Sequence, residues 1–363
     1  MTFKIVNYFV LIFNLCIAVA LVGSYLAPYI SPTQFWPVAF LGLAFPLIVL
    51  VNFLLLLYWV VQKSKWLLIS LITALAGIQH IPSFIQIGSK TNTDSLTKKV
   101  NIISFNTHYM GAFDHINNDT AFFFEELNRI KPDIICFQEF ANLGGNYETP
   151  LFRNFFKQYK HFGSVNADGL SDTFPTGYGV CIFSRYPIIN KGFVELINKN
   201  SNLTIFADVV INNDTIRIIN THLKSIVFEK QDYQTIEEIK EVNEGPEVGK
   251  VKRIGSKLKY AFVQRALQVD EIRREMNKSP YKIVVCGDFN DSPASYAYHT
   301  VKGDLKDAFK ESGFGMSRTY IGKMPSFRID YILHDPSFES FNYLTHTLNF
   351  SDHKMISCSI EIR

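Results

Sequence analysis

The sequence predicts an α/β protein: a four-layer αββα sandwich preceded by a helical, membrane-spanning N-terminal region. Three observations predict it. Charge is divided unevenly, since of 36 Lys and Arg and 33 Asp and Glu in 363 residues only Lys4, Lys63 and Lys65 fall before residue 90. From residue 98 onward, short β-rich apolar runs outnumber amphipathic helices without a strict βαβ repeat, the pattern of two sheets packed face to face with helices outside. Nearly all of those runs end on a polar or acidic residue.

A spanning helix needs about 20 mostly apolar residues. Tyr8–Ile30 supplies one such run and Trp36–Gln62 a second, with the polar break Ser31-Pro32-Thr33-Gln34 between them. The helices of a buried soluble hairpin rarely lack charge on every face, as these do between Ile5 and Gln62. A cleaved signal peptide has a shorter apolar core and no second span behind it. Trp66–Ile87 is a third candidate, apolar in its first half but carrying Gln79, His80, Pro82, Ser83 and Gln86 in its second. Lys4 and the Lys63/Lys65 pair flank an uncharged first loop, which puts the N-terminus and the second loop in the cytoplasm by the positive-inside rule. Three spans then place the remaining chain outside the cell membrane, and two place it inside; the three-span reading is preferred. Residues 1–89 are expected to form the anchor, 90–97 a linker and 98–363 a soluble domain.

In the soluble part, Val100–Phe105, Asp133–Phe137, Gly179–Phe183, Leu203–Ile211, Thr215–Asn220, Ile283–Cys286, Arg328–Leu333 and Met355–Ile360 read as strands. Asn117–Ile130 and Leu258–Met276 read as amphipathic helices, the first ended by Lys131-Pro132. Phe228–Lys257 is charged and irregular and reads as an insertion or lid. Arg265 and Gln268, one helical turn apart, read as surface in preference to cleft. All 33 acids and 33 of the bases lie from residue 90 onward, so this part is formally neutral, whereas a sequence-independent nucleic-acid binder usually carries a basic excess. Five cysteines show no CxxC and no zinc-ligand spacing, and Cys136, Cys181, Cys286 and Cys358 read as small buried hydrophobes.

The strand ends carry the chemistry. Asn106, Glu139, Asn220-Thr221-His222, Gly287-Asp288-Phe289-Asn290, Asp330 and Ser351-Asp352-His353 each follow or precede an apolar run. A single carboxylate after a strand is usually a cap or turn residue, but together these describe one cluster on the rim of a sandwich. Carboxylate and amide oxygens without thiolates suit a hard ion, Mg²⁺ or Mn²⁺. Histidines among aspartates suit proton transfer near neutral pH. With no Gly-rich phosphate loop, GxSxG elbow or HExxH present, metal-assisted attack of water on a phosphoester fits best.

These residues, with Gln138, Leu223, Arg328-Ile329 and Tyr331, resemble the endonuclease/exonuclease/phosphatase superfamily over essentially all of Lys98–Arg363. The resemblance implies that Glu139 is the main Mg²⁺ ligand, with Asn106 beside it and Asp352 contributing. It implies that Asp288 orients or deprotonates the attacking water and Asn290 binds phosphoryl oxygens. His353, oriented by Asp330, and His222 would face the phosphate, and Tyr178 lies where some members place a substrate-binding residue. Asn-Thr-His-Leu at 220–223 is unlike the apurinic-endonuclease branch. The expected function is a membrane-anchored, metal-dependent phosphoester hydrolase acting on a lipid headgroup or small phosphoester. An anchored nuclease acting on DNA or RNA is the alternative, and a catalytically silent binding module a minor one.

Overall fold

The structure, a computed structural model, describes residues 2–88, 90–91, 98–111, 120–142, 154–159, 161–166, 169–171, 177–195, 203–240, 247–322, 327–349 and 351–362. In chain order the helices are α1 Thr2–Leu26, α2 Pro32–Phe35, α3 Pro37–Leu43, α4 Phe45–Val61, α5 Leu67–Ala76, α6 Thr120–Ile130, α7 Lys230–Lys240, α8 Val248–Asn277, α9 Tyr296–Lys302 and α10 Ala308–Ser312. The strands are β1 Lys99–Asn106, β2 Ile134–Asn142, β3 His161–Asn166, β4 Gly169–Ser171, β5 Gly177–Ser184, β6 Ile188–Phe193, β7 Thr204–Ile211, β8 Asp214–His222, β9 Lys282–Asp288, β10 Lys306–Asp307, β11 Asp330–His334, β12 Glu339–Thr347 and β13 Lys354–Glu361. They form a seven-stranded sheet in the order β12-β13-β1-β2-β5-β3-β4 and a six-stranded sheet in the order β10-β11-β9-β8-β7-β6.

Successive residues of a strand face opposite ways, and this alternation builds the four layers. Ile102, Cys136, Ile182, Ile218, Val284, Ile332 and Ile356 meet in the core between the sheets. Their neighbours Ile103, Phe137 and Phe183 pack outward with Phe123, Phe124 and Leu127 of α6. Ile219, Val285 and Leu333 pack outward with Val269 and Ile272 of α8 and Tyr298 and Val301 of α9. The αββα sandwich and all eight expected strands are present, and the four strand cysteines are buried and unpaired.

Two regions differ from the sequence reading. The stretch read as irregular between Phe228 and Lys257 contains α7 and the first ten residues of α8. Its charges are what joins the two helices: Lys257 reaches Asp232 at 2.7 Å and Glu229 at 3.0 Å, Arg253 reaches Asp232 at 2.8 Å, and Lys250 reaches Glu238 at 3.2 Å. The N-terminal runs also depart from simple spans. Among the described residues α1 is the one helix long and apolar enough on its own to cross a membrane, over Ile5–Leu26. The second apolar run is broken into α3 and α4, which meet at 68°, where Pro46 in the first turn of α4 cannot donate a helical hydrogen bond. The third is a ten-residue helix continued by a 3₁₀ turn, Ile78–Ser83.

These helices pack on one another through buried and half-buried polar contacts. Tyr58 donates to Asn7 at 2.6 Å, Ser70 to Asn14 at 2.9 Å, and Asn52 to the Ser70 carbonyl at 3.0 Å. Their outer faces expose apolar side chains throughout.

The far side of the second sheet is fastened at Glu311, at the end of α10. Burial alone would raise this carboxyl, but the His334 ring, whose Nε2 lies 3.2 Å away, and the Ser340 amide and hydroxyl, both donating at 2.8 Å, hold it well below the usual carboxylate range. A carboxyl whose folded pKa is depressed stabilises the fold above its unfolded value, about 4.5, and loses that contribution as the pH falls from there. Glu311→Gln is therefore expected to lower stability at neutral pH by about 2 kcal/mol, with the gap from the parent protein closing in acid. Thermal unfolding at several pH values checks this; a gap as wide in acid as at neutral pH would refute it.

Candidate active site

The two sheets present their polar strand ends along the same edge. In the second sheet His222 of β8 pairs with Asp288 of β9, and Asp288 pairs with Asp330 of β11. Three site residues thus stand side by side on three adjacent strands. In the first sheet Asn106 at the end of β1 pairs with Gln138 of β2, and the segment leading into β13 brings His353.

Local backbone features aim these side chains. Glu139 lies where the register of β2 against β5 slips between Phe137 and Phe140, a bulge that re-aims a side chain. Its φ is +46°, and that of Asn290 is +52°, a left-handed conformation that non-glycine residues adopt at a cost of roughly 1–3 kcal/mol and that gathers at functional sites. Gly287 lets β9 close onto β8, because a Cβ there would lie 2.0 Å from the Thr221 carbonyl oxygen.

The cluster converges on Asp288, which is 1 % exposed. Its Oδ2 accepts from Asn106 Nδ2 at 2.9 Å and Asn290 Nδ2 at 3.2 Å, and its Oδ1 accepts from the Asn290 amide at 2.8 Å. His353 Nε2 lies 3.7 Å and His222 Nε2 3.8 Å from the same Oδ2. His353 Nδ1 faces Asp330 at 3.0 Å, and His222 Nε2 lies 3.4 Å from Glu139 while making no hydrogen bond. Burial pushes the Asp288 carboxyl up to about 6, helped by Asp330 and opposed by the histidines. Burial works against the His353 imidazolium, but Asp330 and Asp288 outweigh it and raise the group to about 10.

The structure thus brings together Asn106, Glu139, His222, Asp288, Asn290, Asp330 and His353. Asn106 presents its amide nitrogen to the carboxylates, at 3.3 Å from Glu139, while its oxygen accepts from the His108 amide at 3.0 Å. The Asp352 carboxylate pairs with His108 at 3.1 Å. Tyr178 is in β5, but its side chain lies outside the described residues.

Sequence reasoning picked out Gln138 and Asn220 without giving them a role, and the structure shows that they brace the cluster. Gln138 donates to Asn220 at 2.6 Å, and Asn220 donates to the Phe137 and Cys181 carbonyls at 2.8 and 2.9 Å, a fully buried bridge that locks the two sheets directly beneath the site. Arg265 and Gln268, read as surface, are buried. Arg265 donates to Asp291 at 2.9 Å and to the Lys224 carbonyl at 3.0 Å, and Gln268 accepts from the Lys224 amide at 2.9 Å. The signal was a basic residue on the apolar stripe of α8, where only a buried partner would hold it.

Comparison with known proteins follows the same division of the chain. Residues 7–84 match a domain of unknown function. No curated protein sequence matches the chain. An endonuclease/exonuclease/phosphatase from Bacteroides vulgatus is 18% identical with a TM-score of 0.51, over 74% of this chain and 100% of that one. TDP2 from D. rerio, complexed with a single-strand DNA product, is 16% identical with a TM-score of 0.50, over 73% and 99%. The human Nocturnin catalytic domain, with a bound sulfate anion, is 17% identical with a TM-score of 0.50, over 72% and 94%. At these identities the likeness is one of fold. Residues 103–353, most of the chain, match the Endonuclease/Exonuclease/phosphatase family directly, so the chain belongs to that family of metal-dependent phosphoester hydrolases and nucleases and is an enzyme of that class.

Proposed function

We propose that the chain is a membrane-anchored phosphoester hydrolase acting on a lipid headgroup or small phosphoester, with residues 98–363 as the catalytic domain. The observation that carries the reaction type is Asp288, a buried carboxylate of raised basicity set between two histidines and two asparagines. A base with a pKa near 6 is ionised at neutral pH and still takes a proton efficiently. Asp288 accepts the proton of the attacking water. His353, kept cationic by Asp330, faces a phosphoryl oxygen, and the Asn290 side chain, which donates to Asp288 Oδ2 and to the Leu223 carbonyl, would reach that oxygen by giving up one of these bonds. His222, whose Nε2 has no hydrogen-bond partner and lies 3.8 Å from Asp288 Oδ2, is placed to pass the proton that Asp288 takes from water on to the leaving oxygen. Tyr178 is proposed to contact substrate.

The residues present fit a hard divalent cation. Asp288 and Asp330, with His353, offer ligand atoms within 4.8 Å of one another, and Asn106 Nδ2 ties Glu139 to Asp288, so oxygen donors gather at the site without a thiolate. Glu139 would hold Mg²⁺, with Mn²⁺ as a substitute, beside Asn106, whose amide would turn its oxygen inward. Asp352 would join them by leaving His108. When bound, the ion supplies charge to the phosphoryl group and lowers the pKa of water.

Two features support the membrane reading and the side. The turn after α1 and the segment from Trp36 into α3 face the sandwich: Tyr29 meets His299 at 4.5 Å, Lys259 lies 4.8 Å over Trp36, and Phe40 meets Phe262 at 5.2 Å. Lys4, Lys63 and Lys65 mark the other end of α1 and α4, joined there by Tyr58 and Asn7. A multi-pass anchor with its lysines in the cytoplasm would put the catalytic domain outside. An apolar ledge favours lipid over nucleic acid. Gln86 and Gly315 form an antiparallel bridge, so Ile85 and Ile87 stand beside Met316 and Phe314, and all four are exposed, Ile87 at 89 % and Phe314 at 73 %. The chain then runs past exposed Arg318 to Tyr320, whose ring lies 5.4 Å from that of His353.

The test is a panel of phospholipid vesicles, sphingomyelin-type lipid, inositol phosphates, RNA and plasmid DNA, offered to the detergent-solubilised full chain. Lipid turnover at least tenfold above plasmid nicking is expected. Rapid nicking with lipid untouched would make this an anchored nuclease.

A further inference from the structure

The N-terminal helices touch the catalytic strands at the points where the site residues are mounted. In the 3₁₀ turn after α5, the Ser83 carbonyl accepts from Arg328 Nη2 at 2.9 Å. Arg328 is buried, pairs with Asp307 at 2.8 Å, and is wedged among Tyr331, Phe309 and Tyr298 at 4.6, 4.7 and 5.7 Å. Two residues on, Asp330 holds His353. The second point is α3. A Cβ on Gly42 would lie 2.7 Å from the Ala294 carbonyl oxygen and 2.8 Å from the Ala27 Cβ, so helix and loop are in backbone contact there. Ala294 is buried among Leu21, Phe45 and Ile48, and it closes the loop that begins with Asp288 and Asn290. The two points are themselves connected, because the Tyr331 hydroxyl lies 2.8 Å from the carbonyls of both Asp291 and Arg328. A third contact, Phe40 on Phe262, lies one turn from Arg265, which braces Asp291.

A tether needs none of this, since a flexible linker would serve. We propose that residues 7–84 are a positioning element of the catalytic unit: the docked helices fix the Asp288–Ser295 loop and the start of β11, so turnover depends on the packing of the helical region as well as on the site itself. Gly42, Ala294 and Arg328 are the positioning residues. The inference rests on the hydrolase reading only for its kinetic consequence, because the coupling is a property of the packing.

The experiment uses the full chain in detergent micelles and three variants. Gly42→Leu wedges α3 away from Ala294, Phe40→Ala deletes a contact without adding bulk, and Gly249→Ala, with open space around it, is the control. Two readouts are taken, hydrogen exchange by mass spectrometry and kcat and KM on the soluble diester bis(4-nitrophenyl) phosphate. The expected result is exchange at least tenfold faster in peptides covering 288–295 and 328–333 for both docking variants, with the β1 and β2 peptides unchanged. Their kcat is expected to fall at least tenfold with KM within about threefold, and Gly249→Ala to match the parent. Unchanged exchange in both peptides for both variants would overturn the proposal, as would exchange that rises equally everywhere, which is general destabilisation. Faster local exchange in a chain that hydrolyses nothing would uphold the coupling and refute the hydrolase reading instead.

Discussion

Asp288→Asn is expected to lower turnover of a phosphodiester by about 10³-fold, within the range that a positioned general base contributes. The amide is nearly isosteric, but it cannot take a proton from water. It also sits badly among its neighbours, because Asp288 Oδ1 accepts from the Asn290 amide, while Oδ2 accepts from Asn106 and Asn290 side-chain nitrogens. Whichever way the new amide turns, its NH₂ faces another donor. Stability is expected to move differently. Burial raises the Asp288 pKa, so its charge is a burden on the metal-free fold above the usual carboxylate value, and removing that charge offsets the lost hydrogen bond. The measurement is kcat beside the unfolding midpoint of the EDTA-treated chain. A large fall in kcat with the midpoint nearly unmoved supports the role, and a variant that keeps more than a tenth of parent kcat would remove Asp288 from the chemistry.

The second large effect concerns the pair His353 and Asp330. His353→Ala removes the imidazolium facing the phosphoryl oxygen, and a loss of about 10²- to 10³-fold in kcat is expected. Asp330 makes its contact to His353 Nδ1 at 3.0 Å and is itself fully buried, held by the Ile329 and Asp330 amides on Thr319 Oγ1 at 2.9 and 3.1 Å. If Asp330 acts only by holding and charging His353, the two losses are not independent. Asp330→Asn alone is expected to cost about 10²-fold, and the double variant to be no slower than His353→Ala. Losses that multiply would give Asp330 a separate task in the reaction.

Much of this site was visible before the fold, for a physical reason. Strands that run through a core are continuous apolar stretches, so Asn106, Glu139, His222, Asp288 and Asp330 stand out where each one stops. The supporting layer was less visible. Gln138 and Asn220 look like ordinary strand polar residues, and only the face-to-face packing of β2 and β8 turns them into a buried bridge. The strands that escaped notice include all four sheet edges, β4, β6, β10 and β12, together with β3. Edge strands are half solvated and carry polar residues, as Asn190, Lys191 and Gly192 do in β6, so their alternation is weak. The α7–α8 hairpin was hidden by its own salt bridges, whose charges read as solvent-facing until Asp232 is seen buried between Arg253 and Lys257. In the N-terminal region, apolarity told where the helices lie but not the bend at Pro46, nor that Gly42 and Ser83 meet the loops carrying the catalytic residues.

The Glu139–Asp288–His353 cluster is proposed to hydrolyse a phosphoester with the help of a divalent cation. The most direct measurement is hydrolysis of bis(4-nitrophenyl) phosphate by the purified full chain, with EDTA and then with excess Mg²⁺, using Asp288→Asn as the blank. Hydrolysis abolished by EDTA, restored by Mg²⁺ and missing from the variant is the expected result. Hydrolysis that survives EDTA, or that Asp288→Asn retains, would rule this mechanism out.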